Sequence, residues 1–166
     1  MSDSKLFSTM QLRDVKLSNR IVVSPMCQYS AVSGVVGDWH LVHLGSFAIS
    51  GPGLVFIEAT GVEPAGLISP SCPGLWNAET ESAIHRIADF CANYGNSILG
   101  IQLAHSGRKG STAEPWNGGK SLQGNEGAWE TFAPSAIPFS DGWHIPTEMT
   151  KLDMTRVINA FMQAAE

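Results

Sequence analysis

With 166 residues, 43% of them hydrophobic and 15% charged, the chain has the length and composition of one soluble globular domain able to bury a core. A net charge of -5 without any run of Lys or Arg argues against nucleic acid and against an anionic membrane as the main partner, because both demand a clustered basic footprint. Cys27, Cys72 and Cys91 are odd in number and form no C-x-x-C pair, which disfavours a disulfide framework and a zinc site and leaves three free thiols and no metal.

Met1 to Ser8 carries Asp3 and Lys5 and no apolar run, so it does not read as a secretory signal, and the expected compartment is the cytosol. Leu6 to Leu17 sets short apolar pairs around Arg13-Asp14, the pattern of a small hairpin that plugs one end of a fold. Ile21-Val22-Val23 is a short apolar strand, and Pro25 forces the backbone out of the ladder just after it. Met26, Cys27 and Tyr29 then follow at a rim. Together they offer a polarizable surface for a flat ring, a soft sulfur and a phenol that donates one hydrogen bond. These residues alone also fit a buried strand end with a core Met and a packed, inert Cys.

Beyond a glycine-bearing loop, Asp38 is placed to cap a helix whose apolar face includes Trp39, Val42, Phe47 and Ile49, stopping at Gly51-Pro52-Gly53. Leu54-Val55-Phe56-Ile57 has the length and continuity of a strand covered on both faces, and its carboxyl end reads Glu58-Ala59-Thr60. Gly61 to Trp76 is a rim loop rich in Pro, Gly and Ser. Asn77 caps the next helix, with Glu79 and Glu81 in its first turn and Ile84, Ile87, Ala88 and Cys91 as its inward stripe, until Gly95. A third strand runs from Ile98 to Leu103. It leads to His105, Arg108 and Lys109. Gly110 to Met149 holds Trp116, Trp129 and Trp143 without sustained periodicity, and loops of that length usually serve as lids or binding arms. A last helix starts near Thr150, with Met154, Val157, Ile158, Phe161 and Ala165 at helical spacing and no stop signal by Glu166.

Repeated βα units make a parallel sheet, either an open doubly wound sheet or the first part of a (β/α)8 barrel. In both, ligands sit at the carboxyl edge of the strands. No G-x-G-x-x-G follows the first strand, which disfavours a dinucleotide site of the Rossmann kind. A complete barrel takes about 250 residues, so the expected fold class is α/β: the N-terminal portion of a TIM barrel, incomplete in this chain, with an N-terminal β-hairpin and a long loop after the third strand. Residues 1–166 are read as one such partial domain.

Asn19-Arg20-Ile21, Ser24-Pro25-Met26-Cys27-Gln28-Tyr29, Glu58-Ala59-Thr60, Gly100-Ile101-Gln102-Leu103-Ala104-His105-Ser106-Gly107-Arg108-Lys109, Trp129-Glu130-Thr131 and Ala133-Pro134-Ser135 together resemble the old yellow enzyme family, in the bacterial branch of xenobiotic reductases and thermophilic-like ene-reductases. The resemblance runs through essentially the whole chain. It implies FMN as cofactor, NADPH as reductant, and reduction of activated C=C bonds in α,β-unsaturated carbonyl or nitro compounds. Carried over position by position, it puts Ser24, Pro25, Met26 and Cys27 along the flavin, Ala59 against its ring and Gln102 at its pyrimidine end. It makes Cys27 a redox-tuning contact that also touches substrate, and Tyr29 a wall of the substrate pocket; these two are the catalytic candidates. An amide suits that task, since it donates and accepts at once.

The family's substrate-anchoring histidine pair, proton-donating tyrosine and phosphate loops are expected beyond Glu166, so the chain is expected to be inactive alone and to need a missing segment or complementary C-terminal half. Members of this branch commonly form homo-oligomers. Alternatives are a non-catalytic half-barrel and a related flavoprotein acting on dienoyl thioesters or amines. Asp38-Trp39-His40 with His43 has a spacing compatible with metal but no third ligand, and the resemblance makes these positions structural. His105, Arg108 and Lys109 are cofactor-side candidates, while His85 and His144 read as plain surface.

Overall fold

The computed structural model describes residues 4–166, so Met1–Asp3 of the leading segment lie outside it. A 3-10 turn at Lys5–Phe7 precedes an antiparallel hairpin of β1 (Met10–Leu12) and β2 (Val15–Leu17), in register Met10 to Leu17. Its two-residue turn holds Arg13 at φ 50°, and Leu17 at its far end is buried. Asn19 then joins the hairpin to the sheet. Its Oδ1 accepts the N–H groups of Ile21 (3.0 Å) and Gly53 (2.8 Å), and its Nδ2 donates to the Gly51 carbonyl (2.8 Å). A Cβ at Gly53 would come within 2.3 Å of the Asn19 carbonyl oxygen, so only glycine lets the two segments approach this closely.

The central sheet is parallel, in the order β3 (Val22–Val23), β4 (Leu54–Gly61) and β5 (Ile98–Ala104). Helices α1 (Asp38–Ser50) and α2 (Ala78–Tyr94) pack on each other as well as on this sheet. Strands in chain order with neighbouring helices on one side are singly wound, as in a barrel; a doubly wound sheet would place helices on both faces. The core lies between sheet and helices: Val55 and Ile57 meet Leu44 and Ala48 of α1 and Ile87 and Cys91 of α2.

Two expectations for α1 are corrected. Asp38 is the first helical residue and not the cap: Gly37 holds that position, its N–H donating to His40 Nδ1 (3.2 Å), while Asp38 pairs with Arg86. The buried face is His40, Leu44, Gly45 and Ala48, with Phe47 packed against the core, whereas Trp39, Val42 and Ile49 are more than half exposed. Residues 40, 44 and 48 recur at the helical period; 39, 42 and 49 belong to the opposite side.

Helix α2 begins as its sequence indicates, with Asn77 Oδ1 accepting the Thr80 N–H (2.9 Å) and Thr80 Oγ1 accepting the Asn77 N–H (3.2 Å). Ile87 and Cys91 are buried in its stripe. Between β5 and the last helix the chain forms three 3-10 turns, a bridge between Thr112 and Ser121, and a pair of two-residue parallel strands, β6 (Phe132–Ala133) and β7 (Thr147–Glu148). Helix α3 (Lys151–Ala165) opens with a reciprocal cap, Thr150 Oγ1 accepting from Asp153 N–H (3.2 Å) and Asp153 Oδ2 from Thr150 N–H (2.9 Å). No side chain of α3 is fully buried.

Candidate flavin site at the strand ends

Register places the candidate residues. Val23 pairs with Val55, so the chain leaves the sheet at Ser24 and Pro25, just past that pair, while β4 runs on, and Ala59 pairs directly with Gln102. That last pairing depends on an irregularity. Phe56 faces Gly100 and Ile57 faces Ile101, but the next pair is Ala59 with Gln102, so Glu58 is an extra residue in β4. Without this bulge, strict alternation would turn Ala59 toward the helices and Glu58 toward the open face. With it, Phe56, Gly100, Ala59 and Gln102 share the open face, and Glu58 points back under the helix layer. Ser24, Met26 and Gln102 are exposed there. Among the described residues, the side chains of Ser24 and Gln102 have no hydrogen-bond partner.

The loop after β3 wraps over this end. Cys27 is half-buried against the Ala59 backbone. Burial pushes its thiol up to about 11, with the Cys72 thiol and the Glu58 carboxylate acting in the same direction and the Ala59 backbone opposing. At neutral pH it is a protonated, weakly donating thiol. Tyr29 is raised as well, first by burial and then by Cys27, Cys72 and Glu58. Its backbone sits at φ 49°, and its ring meets Trp116 edge-to-face at 5.6 Å. Beside it opens a cavity of about 660 Å³ lined by Tyr29, Ile68, Lys109, Phe139 and Trp143, with its outer wall supplied by the long loop.

Residues 5–166 match the NADH:flavin oxidoreductase / NADH oxidase family. The chain belongs to this family. It is 44% identical over 164 residues to an NADPH dehydrogenase of Listeria monocytogenes serotype 4a, an alignment covering 98% of this chain and 44% of that protein. It is 40% identical over 167 residues to an NADH:flavin oxidoreductase of Gibberella zeae, covering 98% and 40%. The chain thus spans less than half the length of the curated relatives it matches. In fold it resembles an old yellow enzyme from a Pichia species (TM-score 0.83, 23% identity, 98% of this chain and 42% of that one) and morphinone reductase in complex with tetrahydroNAD (TM-score 0.80, 21% identity, 98% and 46%). The three-stranded sheet is therefore the opening portion of a (β/α)8 barrel, and it is not closed within this chain.

Several side chains of this chain differ from their sequence reading. His105 is not presented to a ligand: its Nε2 pairs with Glu63 Oε1 (3.0 Å), its Nδ1 accepts the Gly107 N–H (3.1 Å), and Glu63 also takes Arg156 of α3. Arg108 holds the long loop through the Ile137 carbonyl (2.9 Å) and Ser135 Oγ (3.0 Å), which leaves Lys109, over the Phe139 ring, as the cation facing the cavity. His144 is no plain surface residue; its ring bridges Ser121 Oγ (2.7 Å) and Thr131 Oγ1 (2.8 Å) and organises the loop. His85 is exposed beside Asp89. The sequence reading assigned no role to Glu58 or Glu63, although an acid following four apolar strand residues was a visible signal.

Proposed function

We propose that this chain forms the flavin-facing strand ends of an FMN-dependent NADPH oxidoreductase that reduces activated C=C bonds of α,β-unsaturated carbonyl or nitro compounds. The observation that carries this reading is the shared open face of Ala59 and Gln102, flanked by the Ser24–Cys27 segment. A small side chain there leaves room for a planar ring. The uncommitted Gln102 amide matches an edge that alternates carbonyl and N–H groups. The donor set therefore fits FMN: Ser24, Pro25, Met26 and Cys27 along one side, Ala59 against the plane and Gln102 at the polar edge.

When bound, FMN supplies the two-electron redox chemistry between NADPH and alkene. The protein residues position and exclude. The neutral Cys27 thiol offers a weak donor and a polarizable contact, and Tyr29 with Ile68 and Lys109 bounds the adjoining cavity, of a size for a small flat alkene. Lys109 is placed to draw in a carbonyl or nitro oxygen. A polypeptide completing the barrel belongs to this reading, supported by the outer edges of β3 and β5, which pair with no strand among the described residues, and by the exposed Leu152, Ile158 and Met162 of α3. The natively expressed protein, titrated with FMN, should turn yellow and bleach on NADPH addition under nitrogen, then recover colour on addition of an enone. A colourless, FMN-indifferent protein would sink the proposal.

A further inference from the structure

The bulge that turns Ala59 to the open face leaves Glu58 buried, 3% exposed, behind the loop that carries Cys27 and Tyr29. A carboxylate in such surroundings is costly unless its oxygens are occupied. Both oxygens are engaged. Oε2 accepts the Gln28 N–H at 2.8 Å, and Oε1 lies 3.3 Å from Nε2 of the buried His40, off the line of a well-directed hydrogen bond, so that contact is an electrostatic approach. Because His40 Nδ1 accepts from Gly37, a neutral ring carries its proton on Nε2, the side facing Glu58.

Gln28 lies between the two residues that matter most in this loop. Its side chain is fixed as well, Nε2 donating to the Met26 carbonyl (2.8 Å) and Oε1 accepting the Trp39 indole N–H (3.1 Å). The next residue, Tyr29, holds a left-handed backbone that a bulky L-residue adopts only when its surroundings impose it. We propose that Glu58, backed by His40, is a positioning residue that grips the Gln28 amide and so fixes the Cys27 thiol and the Tyr29 phenol at the strand ends. What those two groups face rests on the flavin reading; the grip itself does not.

The same carboxylate acts on the thiol through space. The titratable and charged groups around Cys27 are Glu58 from β4, Tyr29 from its own loop and Cys72 from the loop after β4, with His40 and His43 of α1 facing Glu58 from behind. Negative charge at Glu58 disfavours the thiolate.

The test compares Glu58→Gln with Glu58→Asp in the natively expressed protein, with no need for activity. Two quantities are read: the pH profile of iodoacetamide alkylation at Cys27, with Cys27→Ser as the blank for Cys72 and Cys91, and hydrogen exchange of the Gln28 amide. Glu58→Gln removes the charge and keeps the length, so the alkylation midpoint should fall by about half a unit or more. Glu58→Asp keeps the charge and withdraws the oxygens by one methylene, so the midpoint should hold while Gln28 exchanges about tenfold faster or more. An unmoved midpoint in the first variant, or unchanged exchange in the second, overturns the proposal. So does failure of both to fold, which would make Glu58 a group that merely holds the fold. A parent protein indifferent to FMN would sink the flavin reading and leave these shifts to decide the positioning role by themselves.

Discussion

Replacing Gln102 by Ala separates binding from folding in one substitution. The Gln102 side chain is exposed on the open face of β5 and, among the described residues, has no hydrogen-bond partner, so its loss costs the fold no internal interaction. Surface changes of this kind move stability by about 0.5 kcal/mol or less, or roughly 2 °C in melting temperature for a domain of this size. If the amide instead donates to and accepts from the flavin edge, truncation removes two hydrogen bonds of about 0.5–1.5 kcal/mol each. The FMN dissociation constant should then rise about 5- to 150-fold. Flavin fluorescence quenching, followed as protein is titrated into FMN, measures this directly, and a thermal melt without FMN serves as the control. An unchanged dissociation constant would refute the argument, and so would a melting point that falls by much more than 2 °C, because that would give Gln102 a packing role.

Three further outcomes are expected. Cys27→Ser exchanges a soft, weak donor for a harder, stronger one, so the flavin midpoint potential should move by about 20 mV, the equivalent of about 1 kcal/mol in a two-electron couple, with FMN affinity altered less than threefold (about 0.6 kcal/mol); a redox-dye titration showing no movement returns Cys27 to packing. Asn19→Ala deletes three hydrogen bonds, two of which tie the chain before β3 to the chain before β4, and should cost about 2–4 kcal/mol in urea unfolding; a loss under about 0.5 kcal/mol, the scale of a neutral surface change, would show that the join does not depend on it. The Cys27 thiol titrates from an ordinary value of 9.0 up to about 11 in the fold, so the folded state holds its proton more tightly. Its stabilisation is complete below the lower value and is lost as pH rises through the upper one. Cys72, Cys91 and Tyr29 are raised too and act with the same sign. Unfolding free energy should therefore fall with rising alkaline pH, with a shallower slope in Cys27→Ser; a rise would contradict the burial of these groups.

Features that rest on neighbouring residues were legible in the sequence. The hairpin around Arg13-Asp14, the Asn77 and Thr150 caps and the strand run at Leu54 depend on contacts within a few positions, and each appears where its residues place it. The α1 face was misread because Trp39, Val42 and Ile49 are as apolar as Leu44 and Ala48; only the period tells them apart, and it favours the face marked by the polar His40. The partner that accommodates the buried His40, Glu58, lies eighteen residues away on β4, beyond the reach of a local pattern.

The strand-end residues show a deeper limit. Alternation counted from Val55 and Ile57, which face the core, assigns Ala59 to the helix side, away from the open face. One inserted residue instead turns Ala59 to the face that Gln102 shares. No propensity marks Glu58 as a bulge. It becomes intelligible only when the Gln28 amide and His40 close around its carboxylate, two contacts that come from separate segments of the chain. The charge that breaks the apolar run is thus the same feature that turns the following residue to the open face, so an apolar residue at 58 would forfeit the grip on Gln28 and the reason for the bulge together.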